Sequence, residues 1–287
     1  MSTEAHQSLE HSERNELENK AKVAVLGNFG ERDLIGHLIT TSRKTTKELE
    51  QQIESAWKTK LRENPKMYPG PMLMVKTWWL ENKQLHLALG YTDFREYIGT
   101  RRLQDLRRYS YYHLANPIGV STALITADGK LVIAKRLSGD KTDFIDAIGG
   151  YVSPTEDLIS SGRVDFFHAA KREIAEELDF KNVQELERFI SNIRCLGLIY
   201  EYAELCHPQL VFVARTTLSS KDIEPRISEE IKPIIVNLDQ QSPTLKDLLK
   251  AFYPRVEPDG RIAMALARKV ELGKAYQPRL LRTPKEV

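Results

Sequence analysis

Hydrophobic residues fall into runs whose period changes along the chain. Residues 21–26 form a short apolar run that predicts a strand, and Gly27 and Gly30 mark a loop after it. No Gly-Lys-Ser/Thr follows these glycines, so they read as a turn and not as a phosphate cradle. Across residues 45–62, Leu49, Ile53, Trp57 and Leu61 recur every four residues, which predicts a helix with one buried stripe and Thr45 or Thr46 as its cap. The Tyr68-Pro69-Gly70-Pro71 cluster breaks that pattern. Residues 72–80 and 85–89, separated by Glu81-Asn82-Lys83-Gln84, predict a β-hairpin, and residues 91–98 a short helix.

The pattern changes after Asn116-Pro117, since proline disfavours helix in the residue before it. Residues 118–126 and 131–135 are strand-like and joined through Asp128-Gly129, a strong hairpin signal. A glycine pair follows at Gly149 and Gly150, then a loop, then a helical run over residues 165–178. Strands fit residues 195–202, 210–217 and 231–236, and helices fit 242–252 and 262–270. Hairpin strands interrupted by helices predict an α/β fold of mixed α+β type, a mixed sheet with packed helices. The chain divides into a mobile tail (1–20), an α/β segment (21–115) and a larger domain (116–287).

Composition adds exclusions. A length of 287 residues allows one large domain or two modest ones. Forty-two Lys and Arg against 40 Asp and Glu leave a net charge of +2, which speaks against a protein that coats nucleic acid. Residues 101–113 interleave basic and aromatic side chains, and in so balanced a chain they read as a bridge between domains. No apolar run approaches the roughly 20 residues that cross a bilayer, and the first twenty residues are polar where a secretory signal would be apolar. Cys195 and Cys206 are too few for a disulfide framework, so a soluble, cytoplasmic protein without membrane partners is expected.

The richest chemistry lies in Arg172-Glu173-Ile174-Ala175-Glu176-Glu177. At about 100° per residue the three glutamates share one helix face, while Phe167, Ile174, Ala175 and Leu178 lie on a neighbouring arc suited to a core. Like charges so spaced cost a few tenths of a kcal/mol per pair, and a hard divalent cation such as Mg²⁺ would compensate them. A solvated acidic face is the plainer alternative.

Upstream residues favour the metal. Gly150-x5-Glu156-x15-Arg172-Glu173-Ile174-x-Glu176-Glu177-x-Asp179-Phe180 resembles the signature of the Nudix hydrolase superfamily, G-x5-E-x7-R-E-U-x-E-E-x-G-U, with U a bulky aliphatic residue. Two features depart from it. Fifteen residues separate Glu156 from Arg172 where seven are usual, and Asp179 stands in place of glycine. The resemblance implies a Nudix-type α/β/α sandwich that cleaves nucleoside diphosphates linked to another group, using Mg²⁺ or Mn²⁺. It implies Glu173 and Glu177 as metal ligands with the Gly150 carbonyl, Glu176 as a second ligand or an activator of water, and Glu156 paired with Arg172 as structural support. Relatives in the superfamily often form homodimers, and the oligomeric state stays open here.

Residues 87–100, the helix around Trp57 and the lengthened box also resemble the animal Nudix hydrolases that split UDP-glucose and UDP-galactose into UMP and sugar 1-phosphate. By that resemblance Arg136 contacts phosphate, Asp146 and Tyr151 line the substrate site, and Phe94 stacks on uracil. Each has a quieter reading: Arg136 as a solvated strand end, Asp146 as a turn cap and Phe94 as core. Glu230, or Glu229 beside it, is the candidate general base, whereas His168 and His207 read as packing or surface residues. An ADP-ribose or dinucleotide diphosphatase is the rival enzyme, and a non-catalytic nucleotide-binding module the rival from another class.

Overall fold

The computed structural model describes residues 21–103, 108–137, 142–159, 162–201 and 205–237. The tail over residues 1–20 and the helices expected over 242–252 and 262–270 lie outside them. Among the described residues, eight strands form one mixed sheet and three form a smaller one, a mixed α/β arrangement as the pattern predicts. No helix among them is long and apolar enough to cross a membrane.

The large sheet runs β1 (Ala21–Phe29), β9 (Ile190–Glu201), β10 (His207–Thr216), β5 (Gly119–Ile125), β6 (Lys130–Arg136) and β11 (Ile231–Asn237). Neighbours are antiparallel except β10 and β5, which pair in parallel. The expected β5–β6 hairpin forms, but only Leu124↔Val132 and Ile125↔Leu131 pair in it. Beyond them the two strands part. Two short strands, β7 (Ile145–Asp146) and β8 (Ile148–Tyr151), enter the gap, β7 pairing with β6 and β8 with β5. This split brings the glycine pair to the middle of the sheet.

The small sheet has the order β2 (Leu34–Leu38), β4 (Gln84–Asp93) and β3 (Pro71–Glu81), with β3 and β4 as the expected hairpin. Helix α1 (Lys47–Glu63) begins at Thr46, whose hydroxyl accepts from Leu49 N at 3.2 Å. Leu49, Ile53 and Trp57 form its buried stripe. Helix α2 (Phe94–Arg101) starts later than its apolar pattern suggests, because Tyr91 to Asp93 finish β4 and the Asp93 carboxylate caps the helix, accepting from Glu96 N at 2.7 Å. Likewise β1 runs through Gly27, and its turn falls at Gly30, whose carbonyl accepts from Asp33 N at 2.9 Å.

Helix α3 (Phe166–Glu177) carries the acidic face; α4 (Val183–Glu187) and α5 (Ser220–Ile223) are short. Its opposite side divides between two cores. Phe166, Phe167, Ala169 and Ala170 pack with Leu73, Leu87 and Phe212, so the small and large sheets share one apolar interior. Ile174, Ala175 and Leu178 pack with Leu124, Val132 and Ile231. Alternate residues of the same strands, Ala123, Ile125, Leu131 and Ile133 among them, point into a third cluster on the sheet's other face.

Helix α3 ends in a Schellman motif: Phe180 N donates to Ala175 O at 2.8 Å and Asp179 N to Glu176 O at 3.4 Å. Asp179 sits at φ 50°, the left-handed geometry that explains glycine at this point of the signature and that Asp tolerates better than most residues. Phe212 stands edge-on to Phe167 with centroids 5.2 Å apart, fully buried where both sheets and α3 meet. Phe212→Ala should lower unfolding stability by about 3–5 kcal/mol in chemical denaturation.

Candidate active site

The acidic helix, the glycine pair and the ends of β6 and β11 meet where β5 and β6 part. Gly149 lies against β5 so closely that a Cβ there would overlap the Val120 carbonyl oxygen, and one on Gly150 would overlap the Glu173 carboxylate. Glycines are therefore needed on steric grounds, and they let α3 lay its acids directly on β8.

Arg172 joins these parts. Its guanidinium donates to the Tyr151 carbonyl at 2.9 Å, to Asp157 Oδ1 and Oδ2 at 3.2 and 3.0 Å, to Glu173 Oε1 at 2.8 Å and to Glu176 Oε2 at 3.3 Å. Burial opposes its charge, but Asp157 and Glu173 outweigh that and hold its pKa above the ordinary arginine value. Glu156, read as the partner of Arg172, is exposed and stands 3.9 Å from its Nε. The buried partner at hydrogen-bond distance is Asp157, the next residue along. Sequence reading passes over Asp157 because the spacing of the signature, Gly150-x5-Glu156, selects its neighbour.

The three glutamates do not share one environment. The Glu176 side chain is 55% exposed and that of Glu177 5%. Burial raises the pKa of Glu173 to about 7 and of Glu177 to about 8. Arg136 Nη1 lies 3.9 Å from Glu177 Oε1, and the Gly149 backbone donates to the same carboxylate. Its Oε2 is buried without a hydrogen-bond partner. Among the described residues no group of three or more His, Cys, Asp or Glu side chains converges as a ligand set. The donor set still has the chemistry a divalent cation takes: two buried carboxylates packed against the glycine pair, one of them with an orphaned oxygen.

Of the other sequence-derived candidates, the structure brings Arg136, Glu230 and Tyr151 to this place. Ile231 pairs with Arg136, and Glu230, just before it, raises the Glu177 pKa by its charge. Glu229 is exposed beside it. Asp146 is buried on β7, where its Oδ1 accepts from Ala147 N at 2.7 Å. Phe94 makes its ring contacts with Trp57 and Tyr97, at 6.4 and 6.0 Å between centroids. Tyr97, one helical turn later, is the residue of α2 whose ring meets Tyr151, at 5.5 Å. His207 joins that cluster at 5.5 Å from Tyr151 and lies 3.5 Å from the buried Glu201. His168 Nδ1 lies 3.1 Å from Asp157 Oδ1. His207 is buried, whereas the His168 side chain is about one third exposed. A cavity of about 690 Å³ lies apart from the acid pair, between the Gly30 turn and the start of β9, and its lining carries both signs of charge in Lys171, Glu187 and Arg194.

No protein-family model matches the chain. The human uridine diphosphate glucose pyrophosphatase NUDT22 is 26% identical over 188 residues, 60% of this chain and 59% of that protein. The mouse protein of the same name is 29% identical over 129 residues, 39% of this chain and 42% of that one. The chain thus spans well under two thirds of the length of these curated relatives. Among solved structures, the NUDIX domain of Shewanella oneidensis NrtR complexed with ADP ribose is 15% identical, covers 58% of this chain and 96% of that one, and gives a TM-score of 0.39. By its signature and by these curated relatives, the chain resembles the Nudix hydrolases and, within them, the uridine diphosphate glucose pyrophosphatases.

Proposed function

We propose that the protein is a metal-dependent diphosphatase of nucleotide sugars that splits UDP-glucose or UDP-galactose into UMP and sugar 1-phosphate. The observation that carries this reading is the buried pair Glu173 and Glu177 beside Gly150, with Arg136 next to it. The names of the curated relatives support the choice of a UDP-sugar. Both cysteines are free thiols, which suits the cytoplasm.

In this reading Glu173, Glu177 and the Gly150 carbonyl would hold Mg²⁺ or Mn²⁺. When bound, such a cation neutralises the diphosphate and acidifies water. Arg136 places its guanidinium on the phosphate, drawn away from Glu177 when the substrate arrives. Glu230, on the turn before β11, takes the proton from the attacking water, and Glu176 orients that water from the exposed end of the helix face. Residues 21–115 complete the substrate side, since α2 sets Tyr97 against Tyr151. The substrate is a small molecule, and no part of this chemistry calls for nucleic acid.

Incubation with UDP-glucose, UDP-galactose, ADP-ribose and NADH in Mg²⁺ should release UMP from a UDP-sugar faster than AMP from the other two. No UMP from either UDP-sugar rejects the assignment. EDTA should abolish turnover and added Mg²⁺ or Mn²⁺ restore it.

Replacing Glu177 by Gln removes a buried acid while keeping its shape. The variant should lose at least about 100-fold in kcat, and its thermal midpoint in EDTA at pH 8 should equal or exceed that of the unaltered protein. A midpoint several degrees lower would mean that the carboxylate is needed for folding instead.

A further inference from the structure

Within the lengthened interval between Glu156 and Arg172, the described residues fold back on one another. Leu158 and Val164 form an antiparallel bridge, and Ile159 N donates to Arg163 O at 2.9 Å. Gly162, at φ +75°, belongs to the turn of this small hairpin. At its base, Asp165 N donates to Asp157 O at 2.7 Å, so the chain leaves at Asp157 and returns beside it. Fourteen residues separate Asp157 from Arg172, and the bridged hairpin 158–164 contains seven of them. Setting the hairpin aside leaves seven residues, 165–171, the usual interval between the acid and the arginine of the signature. Counted from Glu156, the same subtraction leaves eight.

Side-chain contacts agree with this count. The Asp157 side chain is 0% exposed, against 55% for Glu156. Its two oxygens accept from Arg172 Nε and Nη2 in a fork that fits the planar guanidinium. Oδ2 also accepts from Ser153 N at 2.7 Å, and Oδ1 faces His168 Nδ1 at 3.1 Å. Asp157 is thereby tied to the loop before the hairpin and, on both sides, to α3. The other end of the guanidinium holds Glu173 at 2.8 Å. Asp157, Arg172 and Glu173 form a continuous relay in which the first acid fixes the arginine and the arginine fixes the second acid.

We infer that Asp157, not Glu156, is the positioning acid of this site, holding Arg172 so that the Glu173 carboxylate is set for a divalent cation, and that the stretch closed by the Leu158–Val164 bridge is inserted between that acid and the helix. The inference rests on the reading of Glu173 and Glu177 as metal-holding groups. It separates the duties of the two neighbours: Asp157 acts through Arg172, and Glu156 remains on the surface.

The test compares Asp157→Asn, Asp157→Glu and Glu156→Gln in the full chain, with Mn²⁺ affinity followed by the electron paramagnetic resonance of free Mn²⁺ and folding followed by thermal melting in EDTA. Asp157→Asn should weaken Mn²⁺ binding at least tenfold, as loss of a group orienting a metal ligand does. Glu156→Gln should change it less than twofold, and Asp157→Glu should recover part of the loss. With UDP-glucose, Asp157→Asn should lower kcat and leave KM within about twofold. Glu156→Gln alters an exposed side chain and folds on either account, so a tenfold loss of Mn²⁺ affinity in that variant alone overturns the inference. Unchanged affinity in a folded Asp157→Asn variant also overturns it. An unaltered protein that binds no Mn²⁺ defeats the metal reading and this inference with it, whereas binding without turnover of any UDP-sugar defeats the substrate assignment and leaves the comparison of variants to decide.

Discussion

The Arg172 guanidinium is the interaction on which the site depends. It stands at the junction of a strand end, a loop and a helix, and its donors are spread over a carbonyl and three carboxylates. A planar group with five donors can hold such partners in fixed relation, and a lysine could not. Because Arg172 sits inside α3, the same bonds set the helix's rotation. Glu173 and Glu177 are turned toward the glycines, and Glu176 is left in solvent. Apolar packing on the far side of α3 supports the same rotation, since Ile174 and Ala175 can reach their core in that orientation.

This placement has an electrostatic cost that the fold does not cancel by itself. Two carboxylates close to full burial face one guanidinium at 3.9 Å from Glu177 and another at 2.8 Å from Glu173, which is shared with Asp157. Burial raises both pKa values, and the arginine beside each acid offsets only part of that. Buried acids that share so little positive charge are costly to keep ionised.

Much of this was legible in the residues. The four-residue stripe of α1, the hairpin of β3 and β4 and the acidic face of α3 all come from local periodicity, which survives in the folded state because each element buries its own apolar side. What periodicity could not reveal depends on contacts between distant segments. The parting of β5 from β6 is one case, because two short strands of ordinary composition enter the gap. Tyr97 is another, since Phe94 and Tyr97 are both recognisable as aromatic but only the packing of α2 decides which ring meets Tyr151. Asp157 was hidden because the spacing Gly150-x5 selects Glu156, and only the folded loop shows that the carboxylate of the next residue is the one turned inward to Arg172.

The pairing of β1 with β9 bears on how the molecule assembles. Ala21 stands opposite Glu201 and Phe29 opposite Cys195, so the described chain's earliest strand borders one of its later ones. Contacts so remote in sequence are slow to form. During synthesis β1 has no partner until the acidic helix and both strands of the β5–β6 hairpin have been made, and its backbone donors and acceptors must wait in water or on a chaperone. The β1 edge of the sheet is therefore fixed only once β9 has been made, and a chain interrupted before β9 would carry the acidic helix while lacking Glu230 and the strand β11 that follows it.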